Sequence, residues 1–285
     1  MNLTFKPKKA DPALTLVLGA TGKTGSRISH QLSQRGIPVR KGSRSAAPAF
    51  DWENEAGWDA VLDGVKSVYI NYAPDLAVPG ATDKVQAFVD KALGHGVQRA
   101  VLLSGRGETE AQASETIVQE SGLQTTVIRA SWFNQNFSEG MFLSMVQSGR
   151  LTLPENLVPE PYVDLDDIAE IAVAALTEEG HAGRLYEVTG PRALTFHEVA
   201  EELSKATNRT IDYVPVPHDA FIDSMRQSGA PKDVVWLLDY LFATVLDGRN
   251  SEIQHGIAEA LGRPPTDFAQ YARRVAASGL WRASA

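Results

Sequence analysis

Short, mostly uninterrupted apolar runs alternate with amphipathic segments over the first half of the chain. Such runs are typical of parallel strands, because helices cover both faces of a parallel sheet. The pattern predicts strands at residues 14–19, 38–43, 67–72, 99–104 and 125–130. Segments with helical spacing separate them at residues 23–34, 53–63, 80–94 and 108–121.

A glycine follows the end of each predicted helix, at positions 36, 64, 96 and 122. Glycine is favoured there because the residue after a helix commonly adopts a positive φ. Strands and helices that alternate in this way predict an α/β fold, namely a doubly wound parallel Rossmann sheet with right-handed crossovers.

After about residue 150 the pattern becomes mainly helical. Asp164 or Asp166 is placed to cap a helix that follows, and residues 183–190 predict a strand that returns to the main sheet. Further helices are predicted at residues 196–207, 218–229, 233–246 and 250–261. We therefore predict a disordered tail at 1–12, a Rossmann domain at 13–150 and a smaller C-terminal lobe at 151–285, from which 163–190 return to the sheet.

The composition narrows the function classes. The 285 residues contain no cysteine, which excludes disulfides, thiolate zinc sites and a cysteine nucleophile. A net charge of −8 argues against a broad nucleic-acid surface, which needs clustered Lys and Arg. No apolar run has the length of a signal peptide or a membrane span, and the six histidines show no metal-ligand spacing. We expect a cytoplasmic protein with no metal site.

The segment GATGKTG carries glycines at positions 19, 22 and 25, directly after the first predicted strand. Its GKT resembles the end of a triphosphatase phosphate loop, but that loop needs a further glycine where this chain has Val17. A dinucleotide-binding loop fits instead, because the strand, Gly19, Gly22, Gly25 and the following helix are in register. The alternative is a purely structural turn. We predict nucleotide binding.

Cofactor choice is set at the end of the second strand, where an acidic residue would bind a free ribose 2′-hydroxyl. This chain has Arg40, Lys41, Ser43 and Arg44 there, which suit the negative charge of a 2′-phosphate. Arg40 and Lys41 are equally well explained as solvated surface cations, which leaves Ser43 and Arg44 as the contacts. We predict NADP(H) as the cofactor.

Several motifs together resemble a known family. They are GATGKTG at 19–25, DW at 51–52, ESGLQTTVIRASWFNQNFSE at 120–139, YVDLDDIA at 162–169 and GRPP at 262–265. The chain is similar to the NmrA-like branch of the atypical short-chain dehydrogenase/reductase family, and within it to the ergot-alkaloid-type reductases. The likeness extends from residue 14 to residue 281.

The resemblance implies a set of site residues. It implies that Gly19, Thr21, Gly22, Lys23, Thr24 and Gly25 form the pyrophosphate loop, that Ser43 and Arg44 bind the adenosine phosphate, and that Asp51 and Trp52 lie beside the adenine. It places Asn71, Tyr72 and Ala73 along the nicotinamide ribose with Ser104 beyond, and Trp132, Phe133, Asn134 and Asn136 at the substrate cleft. Trp52 has the alternative role of a core anchor, and Ser104 that of satisfying backbone groups.

The catalytic pair of ordinary short-chain dehydrogenases is absent. Ordinary short-chain dehydrogenases use a Tyr, together with a Lys four residues later, to protonate the alkoxide that develops on the substrate. None of the seven tyrosines here has Lys at that spacing, and no Lys lies between Lys91 and Lys205. Ser104 and Glu115 are retained as candidate catalytic residues. The GRGE segment at 105–108 either flanks the cleft or makes a turn.

Two interpretations follow from the missing pair. The first is an NADPH-dependent oxidoreductase whose small-molecule substrate needs hydride but little proton help, such as a quinone, an enone or an iminium compound. The second is a non-catalytic NADP(H) sensor that regulates a protein partner. The fold alone does not separate them, and the aromatic segment at 132–137 favours the reductase.

Overall fold

The computed structural model describes residues 13–282, so the predicted tail at 1–12 lies outside the described residues. In this range the strands are β1 (Leu14–Leu18), β2 (Val39–Gly42), β3 (Val65–Ile70), β4 (Arg99–Gly105), β5 (Gln124–Ala130), β6 (Arg150–Pro154), β7 (Arg184–Val188) and β8 (Asp212–Val216). Six of them form one parallel sheet in the order β2-β1-β3-β4-β5-β7. The predicted doubly wound α/β fold is confirmed.

The helices follow in the same range. They are α1 (Lys23–Gln34), α2 (Trp58–Leu62), α3 (Ala81–Gly94), α4 (Thr109–Glu120), α5 (Leu143–Ser148), α6 (Leu165–Thr177), α7 (Phe196–Thr207), α8 (His218–Gln227), α9 (Lys232–Tyr240), α10 (Gly256–Leu261) and α11 (Phe268–Ser278). A π-helical turn, Leu241–Val245, continues α9. All four predicted capping glycines have positive φ, and Asp164 caps α6 by accepting from the Asp166 amide at 2.9 Å.

Helices cover the main sheet on both faces. On one face α2, α3 and α4 pack around Trp58 and Phe88, which are both fully buried. On the other, α1 and α6 pack around Ile28 and Ile168. Apolar residues therefore point to both sides of the strands, which explains why their sequences lack alternation.

A third apolar core belongs to the C-terminal half, where Phe137, Phe196 and Phe268 pack together with α5, α7, α8, α9 and α11. It includes a small parallel sheet in which β6 pairs with β8. Neither of these strands was predicted, and the predicted helix at 53–63 is only a 3-10 turn, Glu55–Gly57, followed by the short α2. In contrast, α6 and β7 lie on the main sheet.

The strand order creates a crevice. The strand β1 lies between β2 and β3. The connection that follows β1 therefore runs to one side of the sheet, and the connection that follows β3 runs to the other. The loops after β1 and β3 therefore diverge at the carboxyl edge of the sheet. In doubly wound folds, ligands bind at this topological switch point.

Candidate active site

The glycine loop between β1 and α1 is tightly packed. Gly19 has φ of +65°, and a Cβ there would lie 2.6 Å from the Nδ2 atom of Asn71. A Cβ on Gly25 would lie 2.3 Å from the Gly19 carbonyl oxygen. The loop therefore lies against Asn71, which follows β3, and the first turn of α1 lies against the loop. Both approaches are so close that a side chain on Gly19 or Gly25 would clash.

The loop presents the uncapped start of α1. Gly22 is its N-cap residue and provides no side chain to accept from the first-turn amides, and that turn contains no acidic residue. The first N–H groups of a helix carry partial positive charge and attract anions. This end of α1 is therefore suited to a phosphate group.

A groove runs from this loop along the end of β2. Ten predicted cofactor residues line it, namely Gly19, Thr21, Gly22, Ser43, Arg44, Asp51, Trp52, Asn71, Tyr72 and Ala73. Thr24 and Gly25 are buried behind the loop and do not reach the groove surface. The crevice at the switch point thus brings together most of the residues that the resemblance implies.

The cations after β2 have different roles. Arg40 donates from Nη1 to the carbonyl oxygens of Val61, at 2.8 Å, and of Asp63, at 2.5 Å, so it is committed to the end of α2. Arg44 is exposed and lines the groove beside Ser43. Of these two arginines, only Arg44 lines the groove.

Trp52 combines the two roles that the sequence leaves open. Its side chain is 8% exposed and its ring centroid lies 5.1 Å from that of Phe50 and 4.8 Å from that of Tyr72. Its Nε1 donates to the Asn71 carbonyl oxygen at 3.3 Å. Trp52 therefore anchors the core and at the same time forms a wall of the groove.

A second hollow, with a cavity volume of about 290 Å³, adjoins the groove and shares Asn71, Tyr72 and Pro74 with it. Its lining includes the predicted residues Ser104, Trp132, Phe133 and Asn136, and apolar side chains of α9 and the π-helical turn, Leu237, Leu238 and Leu241. We call this hollow the inner cavity. Its combination of aromatic and aliphatic walls with a set of polar and charged side chains is typical of small-molecule sites.

Lys23 lies at the inner cavity instead of along the groove. Its Nζ donates to Asn136 Oδ1 at 3.0 Å, and burial lowers the pKa of its ammonium group. The structure thus places the Lys23 side chain toward the inner cavity, and its contact with a pyrophosphate stays a prediction.

Glu115 lies behind the cavity wall. Ser104 donates its hydroxyl to Glu115 Oε1 at 2.6 Å, and Arg129 Nε donates to the same oxygen at 2.9 Å. Glu115 is 2% exposed and does not line the inner cavity. It orients Ser104 and is not placed to contact a substrate.

Asn134 is not on the cavity wall. The 3-10 helix Asn134–Phe137 turns this side chain inward, where it is fully buried, and its backbone N–H donates to the Val163 carbonyl oxygen at 2.9 Å. Of the four residues expected at the substrate cleft, the structure therefore brings Trp132, Phe133 and Asn136 to the cavity.

The inner cavity contains two carboxyl groups that the sequence analysis did not select, Asp75 and Glu108. Both side chains line this cavity, and they lie close enough for each to affect the pKa of the other. Burial and the negative charge of Asp75 raise the pKa of Glu108 well above its usual range. Glu108 belongs to the GRGE segment, so a signal existed for it, whereas nothing near Asp75 in the sequence points to the pair.

Within residues 13–282, no helix is both long and apolar enough to cross a lipid bilayer. Over the same residues, no three His, Cys, Asp or Glu side chains gather closely enough to hold a metal ion.

The sheet order, the glycine loop and the switch-point crevice define a Rossmann-type protein. The model of the NmrA-like family matches residues 47–271. The chain belongs to the NmrA-like family, as its motifs predict.

Among curated relatives, festuclavine dehydrogenase easG of Aspergillus fumigatus is 29% identical over 91% of this chain and 96% of its own length. The NAD(P)H azoreductase of Xenophilus azovorans is also 29% identical, over 93% of this chain and 99% of its own length. The likeness to the ergot-alkaloid-type reductases thus extends over nearly the whole chain.

Solved structures with the same fold include the Citrobacter sp. triphenylmethane reductase complexed with NADP(H). It has a TM-score of 0.73 and 18% identity, and the match covers 93% of this chain and 99% of that one. The NADPH-dependent quinone oxidoreductase QOR2 of Escherichia coli, complexed with NADPH, has a TM-score of 0.73 and 20% identity, with 92% and 99% covered. These similarities confirm the fold.

Proposed function

We propose that this protein is an NADPH-dependent reductase that transfers a hydride to a conjugated, electron-poor small molecule such as a quinone, an enone or an iminium compound. The observation that carries the proposal is that the two hollows adjoin each other. The groove, with its uncapped helix end and Arg44, shares the lining residues Asn71 and Tyr72 with the inner cavity.

The groove fits a dinucleotide phosphate. A Cβ on Gly22 would meet only the Gly19 carbonyl oxygen, at 3.2 Å, so the loop surface is open where a pyrophosphate would bind the α1 amides. Ser43 and Arg44 would hold the 2′-phosphate, and Trp52 would pack against the adenine. Bound in this way, NADPH supplies the hydride.

The inner cavity then selects the acceptor. Trp132 and Phe133 offer flat surfaces for a conjugated ring system, and Trp132 is held by Phe242, whose ring centroid is 5.3 Å away. Without a Tyr–Lys pair, a simple ketone would leave an alkoxide that lacks its usual donor. A conjugated or cationic acceptor spreads or cancels the charge and is favoured.

The relatives support this substrate class. One is named as an azoreductase and another as a festuclavine dehydrogenase, and proteins of the same fold are named as quinone and triphenylmethane reductases. Each name implies a small organic acceptor, and the azo, quinone and triphenylmethane compounds are conjugated.

The test is an NADPH-oxidation assay with purified protein and a panel of electrophiles. We expect quinones, enones or iminium compounds to be reduced slowly, and simple ketones and aldehydes to give little turnover. Calorimetry on the same preparation measures NADPH binding. Tight cofactor binding without turnover of any electrophile would contradict the reductase and favour the sensor, which a protein partner retained differently by the NADP- and NADPH-loaded forms would support.

A further inference from the structure

Within residues 13–282, no Lys, Arg or His side chain forms an ion pair with either carboxyl group of the inner cavity, Asp75 or Glu108. Asp75 follows β3 and accepts the Ala77 amide at 2.9 Å, while Glu108 is the N-cap residue of α4. The Glu108 side chain is 5% exposed, and within residues 13–282 no N–H or O–H donor of another group reaches its buried Oε2 atom. A buried carboxylate without a donor is strongly disfavoured, whereas a protonated carboxyl group is not.

The charged groups around the pair also favour a protonated carboxyl group over a second carboxylate. Arg106 lies next to the pair in sequence, but its Nε donates to Glu187 at 2.5 Å and its Nη1 to the Asn250 carbonyl oxygen. Glu110 and Glu115 of α4 add negative charge. From α9, Tyr240 donates its hydroxyl to Glu110 at 3.0 Å. Lys23, on the same cavity, is bonded to Asn136.

Two carboxyl groups on one buried cavity cannot both be ionised without a large cost. Asp75 accepts a backbone amide, which stabilises its carboxylate. Glu108 is the less exposed of the two, and within residues 13–282 its Oε2 atom has no hydrogen-bond partner. Of the pair, Glu108 is therefore the group that is placed to keep a proton.

We propose that Glu108 is the proton donor of the inner cavity, with Asp75 as its positioning residue, for conjugated acceptors such as enones, whose reduction leaves an enolate. This inference rests on the proposed reductase function. An enone that accepts a hydride from NADPH at its β-carbon becomes an enolate as its C=C electrons move toward oxygen. The O–H bond of Glu108 then breaks, its proton joins the enolate, and the Glu108 carboxylate regains a proton from water.

An iminium acceptor provides an internal control, because a hydride converts it directly into a neutral amine and no proton is needed. We expect Glu108→Gln to lower kcat for an enone by about 10²-fold, within the range of general acid catalysis, and to leave the iminium rate within about twofold. The matched control is Glu110→Gln, two residues along, which is exposed and does not line the cavity.

A second buried carboxyl group serves as the rival candidate. Burial raises the pKa of Glu160 to about 7, but this residue does not line the inner cavity and accepts the Trp132 amide at 3.5 Å. We expect Glu160→Gln to affect both acceptors alike. A selective loss of the enone rate in this variant, with Glu108→Gln unaffected, would overturn the assignment.

The pH dependence tests the role of Asp75. The donor works only when protonated, so the enone rate falls as the pH rises through the Glu108 pKa. Asp75→Asn removes the neighbouring negative charge and lowers that pKa, so the fall moves to lower pH. An unchanged profile contradicts the positioning role.

Infrared or ¹³C NMR spectroscopy gives a readout without turnover. We expect a protonated carboxyl signal at neutral pH in the wild type, and its loss in Glu108→Gln but not in Glu110→Gln. If this signal is absent, or if Glu108→Gln slows both acceptors equally, the donor role is wrong while the reductase stands. A wild type that oxidises NADPH with neither acceptor overturns the reductase and the donor role together.

Discussion

At the scale of single residues, we expect cofactor choice to depend on Arg44. It is exposed at the groove, while the neighbouring Arg40 is bonded to the end of α2. We expect NADPH to bind more tightly than NADH, and Arg44→Ala to remove most of that difference. Loss of a charge-assisted contact of about 1.5–3 kcal/mol corresponds to roughly 10- to 100-fold in affinity. Calorimetric titration with both cofactors measures it.

Lys41 supplies the control for this experiment. It is exposed and lies on β2, three residues before Arg44, but it does not line the groove. Lys41→Ala should therefore leave the ratio of the two affinities unchanged. Equal binding of NADPH and NADH by the wild type, or equal effects of the two substitutions, would contradict the assignment of the 2′-phosphate site.

Glu115 illustrates a residue whose contribution is mainly to stability. It connects Ser104 with Arg129, and Arg129 is 20% exposed with a second, more distant partner in Glu187 at 3.8 Å. Glu115→Ala leaves Arg129 with only this weaker partner, so we expect the free energy of unfolding to fall by about 2–3 kcal/mol. Because Glu115 does not line the cavity, we expect a modest loss of kcat.

Urea denaturation of Glu115→Ala measures its loss of stability, and steady-state kinetics on the same variant measure its loss of kcat. Ser104→Ala, which removes a smaller group, should also reduce the rate only modestly. A loss of activity by several orders of magnitude in either variant, with stability preserved, would make Ser104 or Glu115 an essential proton donor and contradict the assignment to Glu108.

At the scale of elements, we expect cofactor binding to depend on the junction of β1 and α1. Gly22 has φ of −84° and ψ of −179°, an extended conformation that valine also adopts. Gly22→Val should therefore fold with a thermal midpoint close to the wild type, and yet bind neither NADPH nor NADH, because its side chain occupies the pyrophosphate position. Thermal unfolding tests whether the variant folds, and calorimetry tests whether it binds a cofactor. A folded variant that still binds NADPH or NADH would show that the loop assignment is wrong.

Elements with strong local signals could be predicted from the sequence. The bounds of α1 and α7 coincide with the predicted ones because a clear apolar stripe and recognisable end residues define each helix. The strands β6 and β8 could not be predicted from the sequence. Each is a five-residue segment that contains proline, and the two pair with each other although they lie far apart along the chain. Their pairing is a tertiary effect that no local pattern records.

The residues of the candidate site differ in the same way, because some belong to local motifs and others are brought together only by the fold. Gly19, Gly22 and Ser43 belong to motifs in which neighbouring residues carry the signal. The pairing of Asp75 with Glu108 arises because β3 and β4 are adjacent in the sheet, so that the loops that follow them meet at one edge. The hydrogen bond from Lys23 to Asn136 also joins distant segments. Such contacts follow from topology and have no local signature.

At the scale of the whole molecule, α9 connects the two hollows. Trp236 and Asp233 line the cofactor groove, whereas Leu237 and Leu238 line the inner cavity. Trp236 is 39% exposed and stacks on Tyr240, with ring centroids 5.4 Å apart and an interplanar angle of 6°. One helix of the C-terminal half thus forms part of both walls, so the proposed cofactor and acceptor sites share a boundary that the Rossmann sheet alone does not complete.

Adjacent residues of α9 should therefore have separable effects. We expect Trp236→Ala to weaken NADPH binding by about fivefold and Leu237→Ala to raise the KM of a conjugated acceptor by about fivefold, since each removes roughly 1 kcal/mol of apolar contact. Each variant should leave the other quantity within about twofold. Both side chains are at least partly exposed, so the fold should tolerate the changes. If both variants alter only NADPH affinity, or neither alters either quantity, the inner cavity is not the acceptor site and the substrate must bind elsewhere on the protein.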